Sequence, residues 1–132
     1  MNPIIKLGPS YTDIRGKIQM ILEDTNINSV SIITSKPNTL RASHFHLLDS
    51  HFCLVIKGKI FYYERPVGSN EKPILTVINN GQLFYTAPNK EHEMFFSDDT
   101  DFICFSTLSR KSADYEKDTT RLIKSLKEIY EN

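Results

Sequence analysis

Most of this chain consists of short segments rich in isoleucine, valine and aromatic residues, separated by glycine, proline and asparagine. The segments are Lys17–Leu22, Ser29–Thr34, Phe52–Ile56, Ile60–Tyr63, Ile74–Ile78, Leu83–Tyr85, Met94–Phe96 and Phe102–Phe105. Their residue types favour β-strands, and turns follow about every 8–12 residues. This pattern predicts roughly eight to ten strands in an antiparallel sandwich or barrel.

The C-terminal segment has a different periodicity. Between Tyr115 and Tyr130, apolar residues recur at helical spacing with Glu and Lys between them. They are Leu122, Ile123, Leu126, Ile129 and Tyr130. The pattern predicts one amphipathic helix over about residues 115–130, which packs on the barrel or on a second subunit.

Length and charge limit the classes of function. The 132 residues suit a single domain, and 16 basic residues balance 16 acidic ones. We therefore expect neither a nucleic-acid partner nor a membrane, since no basic footprint and no apolar run of spanning length is present. The N-terminus lacks a signal-peptide core, and Cys53 and Cys104 lie in apolar segments, so we expect a cytoplasmic protein with reduced, buried cysteines.

All four histidines belong to one arrangement. His44 and His46 are one residue apart, His51 follows, and His92 comes after a long interval. Alternate residues of a strand share a face, so His44 and His46 point the same way if they lie on a strand. Imidazole is a common ligand of transition metals, and this spacing is typical of half a metal site. A single histidine of this kind would more simply be a core or strand-edge residue.

Two segments resemble the motifs of the cupin superfamily. The first is HFHLLDSHFCLVIKG, from His44 to Gly58, and the second is GQLFYTAPNKEHEMFF, from Gly81 to Phe96. The family pattern of two histidines, a glutamate and a glycine is matched except that His51 stands at the glutamate position. In the second motif Gly81 and His92 match, whereas Ala87, Asn89 and Phe96 replace the usual proline, glycine and asparagine.

The resemblance implies an all-β fold, a double-stranded β-helix (jelly-roll) barrel over about residues 14–108 with a C-terminal α-helix, in a single cupin domain spanning 1–132. It also implies a homodimer. It places His44, His46, His51 and His92 around one divalent transition metal, which could be Fe, Ni, Zn, Mn or Cu. The leading hypothesis is then a metal-dependent oxygenase or isomerase acting on a small anionic, oxygen-rich metabolite. Alternatively, three histidines bind the metal, and His51 either orients one of these ligands from behind or acts as an acid–base residue.

A second resemblance is to cupins of carbohydrate metabolism that act on nucleotide-linked sugars, the 4-keto-6-deoxyhexose epimerases and ketoisomerases. It is carried by Tyr11–Gly16, which contains an aspartate, an arginine and a glycine, and by Leu40–His46. Enzymes of that kind work without metal. The resemblance implies that Arg41 contacts the nucleotide diphosphate and that His44 is the base. Ala42 stands where that group usually has glycine.

Other residues complete the expectations. Tyr62 is a candidate proton donor, and only one of Tyr62 and Tyr63 can point inward. Glu91 and Glu93 flank His92, and we expect them to face away from it as solvated charges. A third hypothesis is a non-enzymatic binding or sensor module with a metal-organised pocket.

Overall fold

The computed structural model describes residues 2–132, apart from the side chain of Ser112. The strands are β1 (Ile4–Ile5), β2 (Ser10–Asp13), β3 (Gly16–Gln19), β4 (Ser29–Ser35), β5 (Thr39–His46), β6 (His51–Lys57), β7 (Lys59–Pro66), β8 (Ile74–Asn79), β9 (Leu83–Thr86), β10 (Lys90–Phe96), β11 (Thr100–Ser106) and β12 (Thr119–Arg121). The helices are α1 (Ser112–Lys117) and α2 (Leu126–Glu131).

Two five-stranded antiparallel sheets form the body of the protein. One has the order β1-β9-β6-β11-β4 and the other the order β12-β5-β10-β7-β8, while β2 and β3 form a separate hairpin. The order interleaves strands that are distant in the sequence, as in a jelly roll. The all-β double-stranded β-helix predicted from the sequence is confirmed.

The core lies between the inner faces of the two sheets. Strand β11 shows why: its buried and half-buried residues alternate, which places Phe102 and Cys104 inward. The fully buried core side chains include Val55, Ile60, Tyr62, Ile78, Phe84, Phe96 and Phe102. This alternation buries one face of the strand.

Most predicted strands are present, with small differences at their ends. The segment predicted at Lys17–Leu22 is shorter, since β3 ends at Gln19 and belongs to the exposed β2–β3 hairpin. Strand β10 begins at Lys90, before the predicted Met94, and therefore includes His92.

The C-terminal helix is confirmed, but it is shorter than the sequence pattern indicated. Residues Thr119–Arg121 form β12, which pairs with His46, Phe45 and His44 along the edge of β5. Helix α2 begins only after Ser125, whose side chain accepts a hydrogen bond from the backbone of Glu128. Ile123, predicted on the apolar face, is fully exposed, whereas Leu126 is fully buried. Residues 119–121 are a strand rather than part of the helix because the open edge of β5 offers them hydrogen-bond partners.

No helix within residues 2–132 is long and apolar enough to cross a membrane.

Candidate functional site

A β-bulge brings Arg41 and His44 to the same face of β5. Residues three apart on a regular strand point to opposite faces. Here the register with β10 shifts, so that His92 pairs with His44 while Met94 pairs with Arg41. The extra residue is Ser43, since Ala42 pairs with Glu93. Ala42 and Ser43 have φ of 68° and 58°, in the left-handed region. The bulge therefore makes both Arg41 and His44 line the same cavity.

Glycine would adopt the conformation of residue 42 more readily than alanine does. The left-handed conformation costs a residue with a Cβ atom about 1–2 kcal/mol of conformational free energy, and it costs glycine much less. Ala42 has taken that conformation nonetheless, and it packs against the core.

The four histidine rings form one cluster between the two sheets. Ring centroids are 4.6 Å apart for His44 and His46, 4.7 Å for His44 and His92, and 5.0 Å for His46 and His51. All four residues are at most 7% exposed. The sequence prediction that they converge holds geometrically.

Hydrogen bonds fix the orientation of the rings. The Nδ1 atom of His46 lies 3.2 Å from the Asp118 carbonyl, and that of His92 lies 3.0 Å from the Lys90 carbonyl. A carbonyl only accepts, so these Nδ1 atoms carry the protons and the Nε2 atoms are left as acceptors. The Nδ1 atom of His51 lies 3.0 Å from Ser106 Oγ and 3.6 Å from Asp49 Oδ2.

His44 differs from the other three. Its Nδ1 atom has no hydrogen-bond partner among residues 2–132. Burial, followed by the neighbouring histidines and Arg121, lowers the pKa of His44 to about 2. Burial also lowers the pKa of His92 to about 3, and it lowers the pKa of His46. These shifts favour the neutral imidazole form of His44, His46 and His92 at neutral pH.

Three of the four histidines line a cavity with a volume of about 210 Å³. Its polar lining includes His44, His51, His92 and three arginines, Arg41, Arg110 and Arg121. Within residues 2–132, no aspartate or glutamate lines it. Neutral imidazoles beside three permanent cations make the cavity a site for an anion.

Each arginine reaches the cavity by a different route. Arg41 lies at its mouth, where its Nε and Nη2 atoms bond Ser35 Oγ at 2.7 Å and the Thr34 carbonyl at 2.8 Å. Arg121 lies on β12 directly opposite His44. Arg110 precedes α1 and lies 4.6 Å from the Tyr115 ring centroid. Sequence reasoning identified Arg41 but missed Arg110 and Arg121, because their position depends on how the C-terminal segment folds back.

Tyr62 and Tyr115 both lie near the histidines, but only Tyr115 lines the cavity. Tyr62, the predicted proton donor, points inward but is completely buried, and its hydroxyl lies 2.6 Å from Thr86 Oγ1. It is not among the cavity-lining residues within 2–132. Tyr115 does line the cavity, with its ring centroid 5.5 Å from that of His46. Nothing in its sequence context distinguished it from a helix residue.

Glu93 faces away from the histidines as expected, but it is not solvated. It is fully buried beneath α2, where it accepts hydrogen bonds from the Ser43 hydroxyl, the Ser125 hydroxyl at 2.6 Å and the Lys127 backbone at 2.9 Å. It thus ties the bulge of β5 to the start of α2. Glu91 is also paired rather than solvated, 2.8 Å from Arg65.

The potential metal-ligating atoms fall into two overlapping groups. Nitrogens of His44, His46 and His92 lie within 4.8 Å of one another, and so do the ligand atoms of His46, Asp49 and His51. His51 is therefore grouped with Asp49 rather than with the first three histidines.

Comparison with known proteins finds solved structures that share this fold. No protein-family model and no curated protein matches the sequence. A 3,4-ketoisomerase double mutant from Thermoanaerobacterium thermosaccharolyticum, in complex with TDP, is similar in structure, with a TM-score of 0.71 and 20% identity, covering 89% of this chain and 85% of that one. An epimerase from Mycobacterium tuberculosis has a TM-score of 0.70 at 14% identity, with 89% and 66% covered.

A third similar structure is a dTDP-6-deoxy-D-glucose-3,5-epimerase from Legionella pneumophila, in complex with dTDP-4-keto-L-rhamnose. Its TM-score is 0.69 at 16% identity, with 92% of this chain and 72% of that one covered. At these identities the similarity establishes the cupin fold.

These similar structures correct the expectation of a metal cofactor. They are epimerases and ketoisomerases of the group that the second sequence resemblance describes as working without metal. The expected divalent transition-metal cofactor (Fe, Ni, Zn, Mn or Cu) is therefore wrong. The histidine cluster is therefore interpreted together with the arginines that line the same cavity.

Proposed function

We propose that this protein is a metal-free isomerase or epimerase of a nucleoside-diphosphate-linked 4-keto-6-deoxyhexose. The observation that carries the proposal is the cavity itself, where the neutral base His44 lies among three arginines with no acidic residue in the described lining. The fold shared with ketoisomerases and epimerases supports it.

The cavity dimensions suit a sugar with its nucleotide outside. A volume of about 210 Å³ is smaller than the roughly 300–1,000 Å³ of pockets that enclose a whole drug-sized ligand. Arg41 is exposed at the mouth, where the guanidinium N–H groups that do not bond Ser35 and Thr34 can pair with phosphate oxygens. We infer that the hexose enters, the diphosphate stays near Arg41, and the base lies outside.

The chemistry requires a proton to leave the carbon next to the sugar carbonyl. In our proposal His44 takes that proton, the electron pair of the C–H bond moves towards the carbonyl oxygen, and an enolate forms. Arg121, opposite His44 on β12, is placed to stabilise the negative charge on that oxygen. Returning a proton to the opposite face of the same carbon gives the epimer. Returning it instead to the former carbonyl carbon, while the adjacent hydroxyl loses its proton and the former carbonyl oxygen gains one, gives the keto isomer.

The low pKa of His44 is compatible with this role. It keeps the imidazole neutral, which a base requires, but makes it weak. Two of its causes are burial and the charge of Arg121. A bound diphosphate adds negative charge beside the arginines and raises the pKa of His44, so the base becomes stronger when substrate is present.

Tyr115 is our candidate for the proton donor. It lines the cavity and contacts both the His46 ring and the Arg110 guanidinium. Tyr62 has its hydroxyl engaged with Thr86 and is screened from the cavity. We therefore assign the role that the sequence suggested for Tyr62 to Tyr115.

Solvent exchange tests the proposal directly. The protein is incubated with dTDP-linked 4-keto-6-deoxyglucose in D2O, and proton NMR follows loss of the signal at the carbon next to the carbonyl. His44→Asn should slow exchange by about 100-fold or more, the usual contribution of a general base. Tyr115→Phe should slow product formation more than exchange. Lys57→Ala, which removes an exposed charge at the far end of β6, is the control and should behave as wild type.

Binding separates an enzyme from a binding module. TDP affinity, measured by calorimetry, should fall about tenfold in Arg41→Ala and in Arg121→Ala. Tight TDP binding without exchange would support a non-enzymatic module. Absence of both TDP binding and exchange would overturn the proposal.

We further propose that the protein is a homodimer. The outer edge of β4 is unpaired by any strand within residues 2–132, and Val30 and Ile32 on it are 62% and 66% exposed. Apolar sheet edges are commonly covered by another chain. Light scattering after gel filtration should give twice the mass of one chain; a monomer would contradict this expectation.

A further inference from the structure

Two cysteines lie side by side on the inner wall of the cavity. Cys53 on β6 pairs directly with Cys104 on β11. Both are free, nearly completely buried, and line the cavity. Directly opposed residues of antiparallel strands have Cα atoms about 4.5–5.5 Å apart, which is within the range that a disulfide spans. The register therefore places the two backbones at a separation compatible with a disulfide.

The surroundings of the two sulfurs differ. The Sγ atom of Cys104 lies 3.8 Å from Arg110 Nη2 and 3.5 Å from Ser106 Oγ. Ser106 in turn contacts His51. Donors and a permanent cation next to a sulfur stabilise the thiolate, which is the nucleophilic form.

The direction of the two pKa shifts agrees with this asymmetry. Hydrogen bonding from Cys53, with a further contribution from His51, lowers the pKa of the Cys104 thiol. The hydrogen bond to Cys104 and burial together raise the pKa of the Cys53 thiol.

We propose that Cys104 and Cys53 form a dithiol site that reacts with small hydroperoxides, in which Cys104 attacks and Cys53 resolves. The Cys104 thiolate attacks the terminal oxygen of the peroxide, the O–O bond breaks, and water or an alcohol leaves after taking up a proton. Cys104 becomes a sulfenic acid. The Cys53 thiol then attacks the oxidised sulfur, a disulfide forms, and a second water leaves. Two electrons pass from the thiols to the peroxide.

Access to this site is through the cavity. Cys104 is 3% exposed, so a reagent must enter past the histidines and arginines to reach it. A bound ligand in the cavity would therefore protect it. Oxidation would draw the Cys104 sulfur towards Cys53 and away from Arg110, which lines the sugar-nucleotide cavity.

The test is oxidation of the reduced protein with a slight excess of hydrogen peroxide, followed by intact-mass and peptide mass spectrometry. Wild type should lose two hydrogen masses through a Cys53–Cys104 disulfide. Cys53→Ala should instead accumulate a sulfenic acid at Cys104, trapped by dimedone. Cys104→Ala should remain unmodified for at least tenfold longer than wild type. Arg110→Met, which keeps an unbranched chain over Tyr115, should slow oxidation about tenfold.

Several results would overturn the proposal. One is equal labelling of Cys53 in Cys104→Ala and of Cys104 in Cys53→Ala; another is a wild-type oxidation rate no faster than that of a free cysteine. Circular dichroism confirms that each variant is folded, and the wild-type disulfide provides a readout that needs no variant. Addition of TDP should slow oxidation. Rapid disulfide formation that TDP leaves unchanged would count against the proposed sugar-nucleotide function and leave the dithiol site intact.

Discussion

Replacing Glu93 should remove the hydrogen bonds that connect the start of α2 to the β5 bulge. Its carboxylate is fully buried and holds three donors: the Ser43 hydroxyl in the bulge, the Ser125 hydroxyl and the Lys127 backbone amide at the start of α2. Glu93→Ala leaves all three donors without their acceptor. Glu93→Gln retains one oxygen acceptor and nearly the same volume.

The magnitude follows from the contacts. A hydrogen bond to a charged group contributes about 1.5–3 kcal/mol, so three would give an upper sum of about 4–9 kcal/mol. The two hydroxyls can turn to other partners, and the cost of burying a carboxylate disappears with it. We therefore expect Glu93→Ala to lower the free energy of unfolding by about 3–5 kcal/mol, and Glu93→Gln by about 1–2 kcal/mol. Such a loss is a large fraction of the stability of a domain of this size.

Urea unfolding followed by circular dichroism measures the free energies, with the exposed Glu23→Gln as a matched control that should stay within about 0.5 kcal/mol of wild type. Because Ser43 belongs to the bulge that directs Arg41 inward, TDP affinity should fall in Glu93→Gln even under conditions where it is fully folded. A Glu93→Ala variant within 1 kcal/mol of wild type, with unchanged TDP affinity, would refute the coupling of α2 to the bulge.

Three further predictions concern the same region. The pKa of His44 is about 2 and that of His92 about 3, both below the ordinary histidine value of 6.5. The unfolded chain therefore binds more protons than the folded chain at pH values between the folded-state pKa values and 6.5. The contribution of the two residues to the free energy of unfolding should be complete above pH 6.5 and fall by up to about 4 kcal/mol at pH 5, and equal urea midpoints at pH 7 and pH 5 would contradict this. Ala42→Gly should leave stability unchanged or raise it by up to about 1 kcal/mol in urea unfolding, whereas Ala42→Val should lower it; the reverse order would show that φ at this position is not positive. The Asp118 carboxylate accepts hydrogen bonds from the backbone amides of residues 47–49, and its carbonyl faces His46 Nδ1. Asp118→Ala should therefore lower the free energy of unfolding by about 3 kcal/mol and shift the NMR signals of His46. An unaltered His46 spectrum would argue against this role.

The strands of the two sheets could be predicted from the sequence because their segments are rich in β-branched and aromatic residues and are bounded by turn residues. In β11, Phe102 and Cys104 recur at period two on the buried face. The C-terminal segment could not be read in the same way. Thr119–Arg121 has no strong strand signal of its own, and it is a strand because the edge of β5 offers hydrogen-bond partners.

The site was predictable where it depends on local spacing. The positions of His44 and His46 on one strand face followed from their separation by one residue. The inward position of Arg41 did not, because it needs a bulge whose register is set by pairing with β10. Arg110, Tyr115 and Arg121 reach the cavity only because residues 107–121 fold back over β5, which is a tertiary effect.

This difference explains why the histidine spacing led to the wrong cofactor. Spacing reports which side chains share a cavity, but the charge of the cavity decides what enters it. A divalent cation among His44, His46 and His92 would lie in a chamber that already contains three arginine charges and no described acidic lining residue, and like charges repel strongly where burial reduces screening. The same arginines attract a diphosphate. TDP binding should therefore weaken steeply with ionic strength, and it should weaken less steeply in Arg121→Ala, since one cation fewer contributes.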